Sequence, residues 1–255
     1  GVSPMNHFLD TVDTIPDGFG WNYYSSVHLA WLAGFLCFAM GSAVLYRSLT
    51  REKRTVMQRV YAILLICDEL FKDIGLLIGG NFEPAYLPLH LCSINIFLIA
   101  YFAWHPNAKL GNFLYSICLP AATAAMLFPT WNTLPPMNFM VFHSFSVHIL
   151  LATFPFMLTV GGDIQPNLKQ VPACVVILCF LAIPAAVANH FWGTNFMFLS
   201  YVLPGNPLYP FQVLWGNYLL GIPVLIVLVV FLMYGPRWVW RHLRSRLSSA
   251  NLVKK

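Results

Sequence analysis

"LPLHLCSINIFLIAYFAW", residues 87–104, holds no Asp, Glu, Lys or Arg. A run of that length and apolarity reads as a helix that crosses a membrane. Its first turns nevertheless carry His90 and Cys92, an imidazole and a thiol two positions apart. The rest of the chain decides whether these two residues only fill space or form one wall of a site.

The 255 residues are 58% hydrophobic and 9% charged, against about 25% charged in soluble domains. The core of a water-soluble domain of this size has no room for so much apolar surface. The expected fold is all-α: a polytopic seven-helix transmembrane bundle with lipid as its solvent, multi-pass in the cell membrane. The expected spans are 24–46, 57–78, 87–104, 109–129, 138–160, 171–190 and 212–234. Pro120, Pro155 and Pro184 interrupt three of them, which membrane helices tolerate where a neighbour satisfies the freed carbonyl. The expected organisation is an extracytoplasmic segment at 1–23, a transmembrane domain at 24–234 and a basic tail at 235–255. Gly1 to Pro4 read as a vector-derived remnant ahead of Met5, and no cleavable signal peptide is expected.

The net charge of +5 is no nucleic-acid signal in such a chain, and no nucleic-acid partner is expected. It reports topology. Arg47, Arg51, Lys53, Arg54 and Arg59 crowd the first loop, Lys109 and Lys169 sit in the third and fifth, and Arg237, Arg241, Arg244, Arg246, Lys254 and Lys255 sit in the tail. The N-terminal segment and the second, fourth and sixth loops carry no Lys or Arg. Seven spans put every basic loop on one side, so the N-terminus is expected outside and the C-terminus in the cytoplasm. The tail "RWVWRHLRSRL" is expected at the inner headgroup layer. No internal repeat marks a transporter of the inverted-repeat type. The seventh span has no lysine for a retinal Schiff base.

Charge inside a span costs about 2.5–3.5 kcal/mol per residue on insertion scales, yet span two carries Asp68, Glu69, Lys72 and Asp73. Asp68 and Lys72 stand i, i+4 and are expected to pair, with Glu69 and Asp73 on the adjacent stripe. Alternation of the spans places these four in the outer half. It places His90 and Cys92 near the outer end of span three, and His143 and His148 one and three turns below the outer surface on span five. Asn189 and His190 close span six on the same side, with Asn195 just beyond. One shared depth for polar residues of several helices implies a pocket that opens outward.

A thiol, imidazoles and carboxylates suit nucleophilic acyl transfer: a thiol attacks an ester, His acts as base, and a carboxylate fixes the His tautomer. His90 and Cys92 point about 200° apart on a regular helix. They share a substrate only if the helix start is irregular, as Pro84 and Pro88 allow. Otherwise the base for Cys92 comes from another helix, and His148 is the natural choice. A metal site from His90, His143, His148 and Glu69 is the rival chemistry, but the 143/148 and 90/92 spacings are poor for ligands on one helix. No cofactor or metal is expected. Of the six cysteines (37, 67, 92, 118, 174 and 179), the other five read as small core residues, with no disulfide expected.

"LPLHLC" after a charged span, then "MLFPTWNT", a His-bearing helix and "GTNFMFL" together resemble the YwaF-like bacterial integral membrane proteins. These are similar in turn to a eukaryotic seven-span acyltransferase family that remodels ether phospholipids. The resemblance covers residues 60–235. It implies acyl transfer through a cysteine thioester with a histidine partner. Carried over, the histidine is His148, seven residues before Pro155, and the acidic residue is Asp68, ahead of Phe71 and Lys72. The cysteine of those relatives stands where this chain has Leu89, and the thiol here is Cys92.

The expected function is therefore a membrane-embedded lipid acyltransferase or transacylase. Cys92 or His90 is the nucleophile, His148 the base, and Asp68 or Glu69 the orienting acid. Lys72, Asp73, His143, Asn189, His190 and Asn195 are expected to line the substrate site, the two asparagines as oxyanion donors. The partners are acyl chains of membrane phospholipid or lipoprotein. The alternative is a transporter or a small-ligand or lipid receptor that uses the same polar cluster.

Overall fold

A computed structural model describes residues 7–253, without the side chains of Arg237, Trp240 and residues 241–253. Gly1 to Pro4, read as a remnant, lie outside the described residues, as do the side chains on which a headgroup seat for the tail depends. The described chain is helical and holds no strand. Nine α-helices follow in order: α1 (Ser26–Ser48), α2 (Arg51–Ile78), α3 (Leu91–Trp104), α4 (Ala108–Phe113), α5 (Leu119–Leu127), α6 (Phe139–Gly161), α7 (Val171–Trp192), α8 (Tyr209–Trp215) and α9 (Gly221–Val253). The chain divides into two compact units between Asn206 and Pro207.

Among the described residues five stretches are long and apolar enough to cross a membrane: Ser26–Ser48, Ala108–Leu127, Phe139–Gly161, Leu168–Trp192 and Tyr218–Pro236. The expected span at 57–78 is the C-terminal part of the longer α2, whose charges take it out of that class. The expected span at 87–104 starts later, at Leu91, because Pro84–Tyr86 form a 3-10 turn and His90 is extended (φ −68°, ψ 149°). The expected span at 212–234 is broken at Gly216, which is left-handed (φ 67°) and ends α8 before α9 begins.

In the first unit α6 is the hub, packed against α1, α2, α3 and α5. Its apolar span is 72% buried, against 17% for that of α1. Phe139, Phe145, Leu151, Phe154, Met157 and Leu158 are fully enclosed. Gly75 lets α2 approach closely, because a Cβ there would fall on the Phe139 ring. Pro155 frees the carbonyl of Leu151 four residues back, and the buried Cys118 thiol donates to it at 3.5 Å. Leu114–Cys118 form one π-helical turn between α4 and α5, ahead of Pro120. Large apolar side chains such as Leu36, Val44 and Phe180 are exposed on α1 and α7, as lipid-facing surfaces require.

At the basic end of the bundle Arg54 donates to the carbonyls of Arg47, Leu49 and Gly161, tying the ends of α1 and α6. Tyr46 bonds Asp163 and accepts from Gln58 at 2.6 Å. At the opposite end the segment before α1 lies as a strap. Asn138 donates to the carbonyls of His7 and Asp10, Asn81 donates to Leu9, and Trp21 and Asn132 exchange two bonds.

Candidate active site

Cys92 and His148 meet. The thiol of Cys92, on the first turn of α3, lies 3.0 Å from Nε2 of His148 on α6. Nδ1 of His148 lies 2.5 Å from the backbone carbonyl of Ser144, one turn earlier on the same helix. A carbonyl only accepts, so Nδ1 carries the proton. In the neutral ring Nε2 is then the acceptor, turned to the thiol. A carboxylate was expected to fix this tautomer; the backbone of Ser144 does it instead. Trp131, from the loop between α5 and α6, stacks on the imidazole with centroids 5.3 Å apart and planes 18° apart.

Cys92 is the second residue of α3, after the N-cap His90, which makes no side-chain cap. The first N–H groups of a helix have no intrahelical acceptor. Those of Cys92 and Ser93, in the first turn of α3, have no acceptor one turn back within the helix. His90 itself turns the other way. Its Nδ1 accepts from Met197 N at 3.4 Å, and its ring meets Phe196 and Phe198. The irregular start does not bring both residues to one atom: the thiol faces α6, the imidazole the loop after α7.

The acids of α2 form a neighbouring group. Lys72 pairs with Glu69 at 2.5 Å and Asp73 at 3.3 Å, and donates to the carbonyl of Tyr86 at 3.1 Å. It does not pair with Asp68, as the i, i+4 spacing suggested, because Asp68 is drawn across to α6. There Asp68 accepts from Ser146 at 2.8 Å and lies 3.3 Å from Nδ1 of His143. Nε2 of His143 faces Glu69 at 4.0 Å. The acid-to-histidine contact thus forms at His143, not at His148. No three His, Cys, Asp or Glu side chains among the described residues converge on a metal position.

A sequence model of the TMEM164 family matches residues 23–234. The chain belongs to the TMEM164 family. It is a membrane protein family, in keeping with the apolar helices. No curated protein and no solved structure matches the chain. The TMEM164 match contains Cys92, Trp131, Ser144 and His148, with Asp68, Glu69, Lys72 and Asp73 of α2, and leaves out most of the strap and the tail.

In this TMEM164-family chain the remaining expected site residues lie elsewhere. His190 is exposed at the end of α7, against Phe191. Asn189 is spent on the loop that follows: its amide donates to Phe196 O at 3.1 Å, and its oxygen accepts from Thr194 and Phe196 N. Asn195 donates to Tyr201 O and accepts from Ser200 N. Both side chains are engaged by the loop after α7. Together they hold Met197 and Phe198 in left-handed backbone (φ 56° and 54°), a conformation that costs about 1–3 kcal/mol at a non-glycine residue. Asn189→Ala is therefore expected to lower stability by about 2–3 kcal/mol, seen as an earlier thermal transition in detergent. A change below about 0.5 kcal/mol would contradict this reading of the loop.

The residue pattern had not singled out Ser144, Ser146, Trp131 or His28. His28 is fully enclosed, donates to Met126 O at 2.7 Å and accepts from Tyr24 N at 2.9 Å, so it closes the end of α5 onto the start of α1. Trp131 stands inside "MLFPTWNT", and that motif was the only signal pointing to it.

Proposed function

We propose that the chain is a membrane-embedded lipid acyltransferase or transacylase that works through a thioester on Cys92. The observation that carries the proposal is the 3.0 Å contact from Cys92 to a histidine whose tautomer is fixed by the Ser144 carbonyl. The reaction begins when His148 Nε2 takes the thiol proton and Cys92 Sγ bonds the ester carbonyl carbon of a phospholipid. The oxyanion sits at the first turn of α3. On collapse the ester C–O bond breaks, and His148 returns its proton to the leaving alkoxide. An acceptor hydroxyl then attacks the thioester as His148 takes its proton; the C–S bond breaks, and His148 passes that proton to Cys92 Sγ to restore the thiol. His90 meets the loop after α7 and Asp68 meets His143, so this proposal gives the nucleophile's part to Cys92 and the tautomer to the Ser144 carbonyl.

The topology proposed with it is seven crossings of the cell membrane, N-terminus outside and C-terminus in the cytoplasm. The five apolar spans are joined by α2 and α3. Asp68, Glu69, Lys72 and Asp73 of α2 have charged or polar partners, which removes most of their cost in lipid. The 14 residues of α3 reach about 21 Å, and the irregular stretch before Leu91 supplies the rest of the outer layer. Cysteines placed at Thr133 and Gln165 should then label from opposite sides, Thr133 from outside. Labelling of both from the cytoplasm would contradict seven crossings.

Purified protein in lipid discs, given phospholipid with a labelled acyl chain and an unlabelled lysolipid, should move the label to the lysolipid. Binding of phospholipid with no movement of label would favour the receptor or transporter reading of the same cluster.

A further inference from the structure

Trp131 is 8% exposed, and its indole N–H is buried without a hydrogen-bond partner. Buried tryptophan N–H groups normally have one. The same ring lies over the His148 imidazole and meets Phe145 edge-on, with centroids 5.3 Å apart at 87°. An unsatisfied donor thus sits on a ring in contact with the base of the proposed reaction. Trp21 also has a buried, unpartnered N–H, but its ring lies against His28 and Phe145, and the ring stacked on His148 is that of Trp131.

An ester that reaches Cys92 brings the missing acceptor. Its carbonyl oxygen gains negative charge as Cys92 Sγ bonds the carbon, and a donor held in an enclosed site acts most strongly on that charge. Cys92 lies in the first turn of α3, and the indole lies over the His148 imidazole on α6. We propose that Trp131 Nε1–H is a second oxyanion donor, a catalytic residue for attack of Cys92 on a lipid ester. The proposal rests on the thioester reading of the site. The indole N–H takes part in no proton transfer: it donates to the oxygen as the C=O bond becomes a C–O single bond, and loses that charge-assisted bond when the leaving alkoxide departs.

The test separates the N–H from the stack. Trp131→Phe keeps an aromatic face over His148, and benzothienylalanine at 131 keeps both rings with sulfur in place of N–H. Each variant, in lipid discs with phospholipid carrying a labelled acyl chain, is followed for acylation of Cys92 in a single turnover. Both should form acyl-Cys92 about 10²-fold more slowly than the parent, with KM and the pH profile unchanged. A merely stacking residue would alter the pH profile through His148, and benzothienylalanine would restore the rate. Rates within about threefold of the parent, or recovery in the benzothienylalanine protein, overturn the donor role and leave the thioester intact. No acyl-Cys92 in the parent protein overturns both.

Discussion

Replacing Cys92 by serine should reduce acyl transfer by at least about 10³-fold while the protein still folds. Loss of a covalent nucleophile is among the largest single effects known in catalysis, up to about 10⁶ where the other groups remain. Serine keeps nearly the same volume and a hydrogen bond to His148, so the contact between α3 and α6 survives. The hydroxyl is far less acidic than the thiol, and neutral imidazole is then the only group left to activate it. Thermal unfolding should match the parent, and transfer from labelled phospholipid should fall to background. Cys118→Ser is the control. Cys118 donates to the Leu151 carbonyl freed by Pro155, a bond that serine can replace. Equal losses in the two variants would mean that thiols matter here through packing.

His148→Gln should be nearly as inactive, with a loss of about 10²–10⁴-fold. Glutamine can still donate to the Ser144 carbonyl and can still meet Cys92 with an amide. It cannot accept the thiol proton and return it to the leaving oxygen. Asp68→Asn provides the contrast. Because Asp68 contacts Ser146 and His143, not His148, its loss should cost stability more than rate. Measured kcat for the pair distinguishes the cases: a collapse in His148→Gln, and no more than about a tenfold fall in Asp68→Asn. An active His148→Gln protein would remove general base catalysis by this residue.

Much of this geometry could be read from residue types. Charge in a lipid-facing helix is costly, so Asp68, Glu69 and Lys72 had to turn inward, and α6 was the helix with histidines at the matching depth. That argument brings span two to span five and Cys92 to His148. It fails where backbone atoms or loops supply the partner. Nothing in the side-chain pattern shows that the carbonyl of Ser144 reaches Nδ1, because every residue has a carbonyl. The pairing of Lys72 was misjudged because i, i+3 and i, i+4 neighbours are equally near on a helix. The choice between Glu69 and Asp68 fell to Ser146 and His143 on another helix. Asn189 and Asn195, at the end of α7 and just beyond it, bind their own loop. A terminal asparagine is as apt for holding strained backbone as for binding substrate, and only the bonds to Phe196 and Tyr201 tell the two apart.

The thioester itself gives the most direct test. Protein in lipid discs is mixed with phospholipid bearing a labelled acyl chain, quenched in acid during turnover, digested and examined by mass spectrometry. The label should appear on the peptide that contains Cys92, should be released by neutral hydroxylamine, and should be absent from His148→Gln. Transfer of the label between lipids at the full rate with no acyl group on Cys92 would contradict the account.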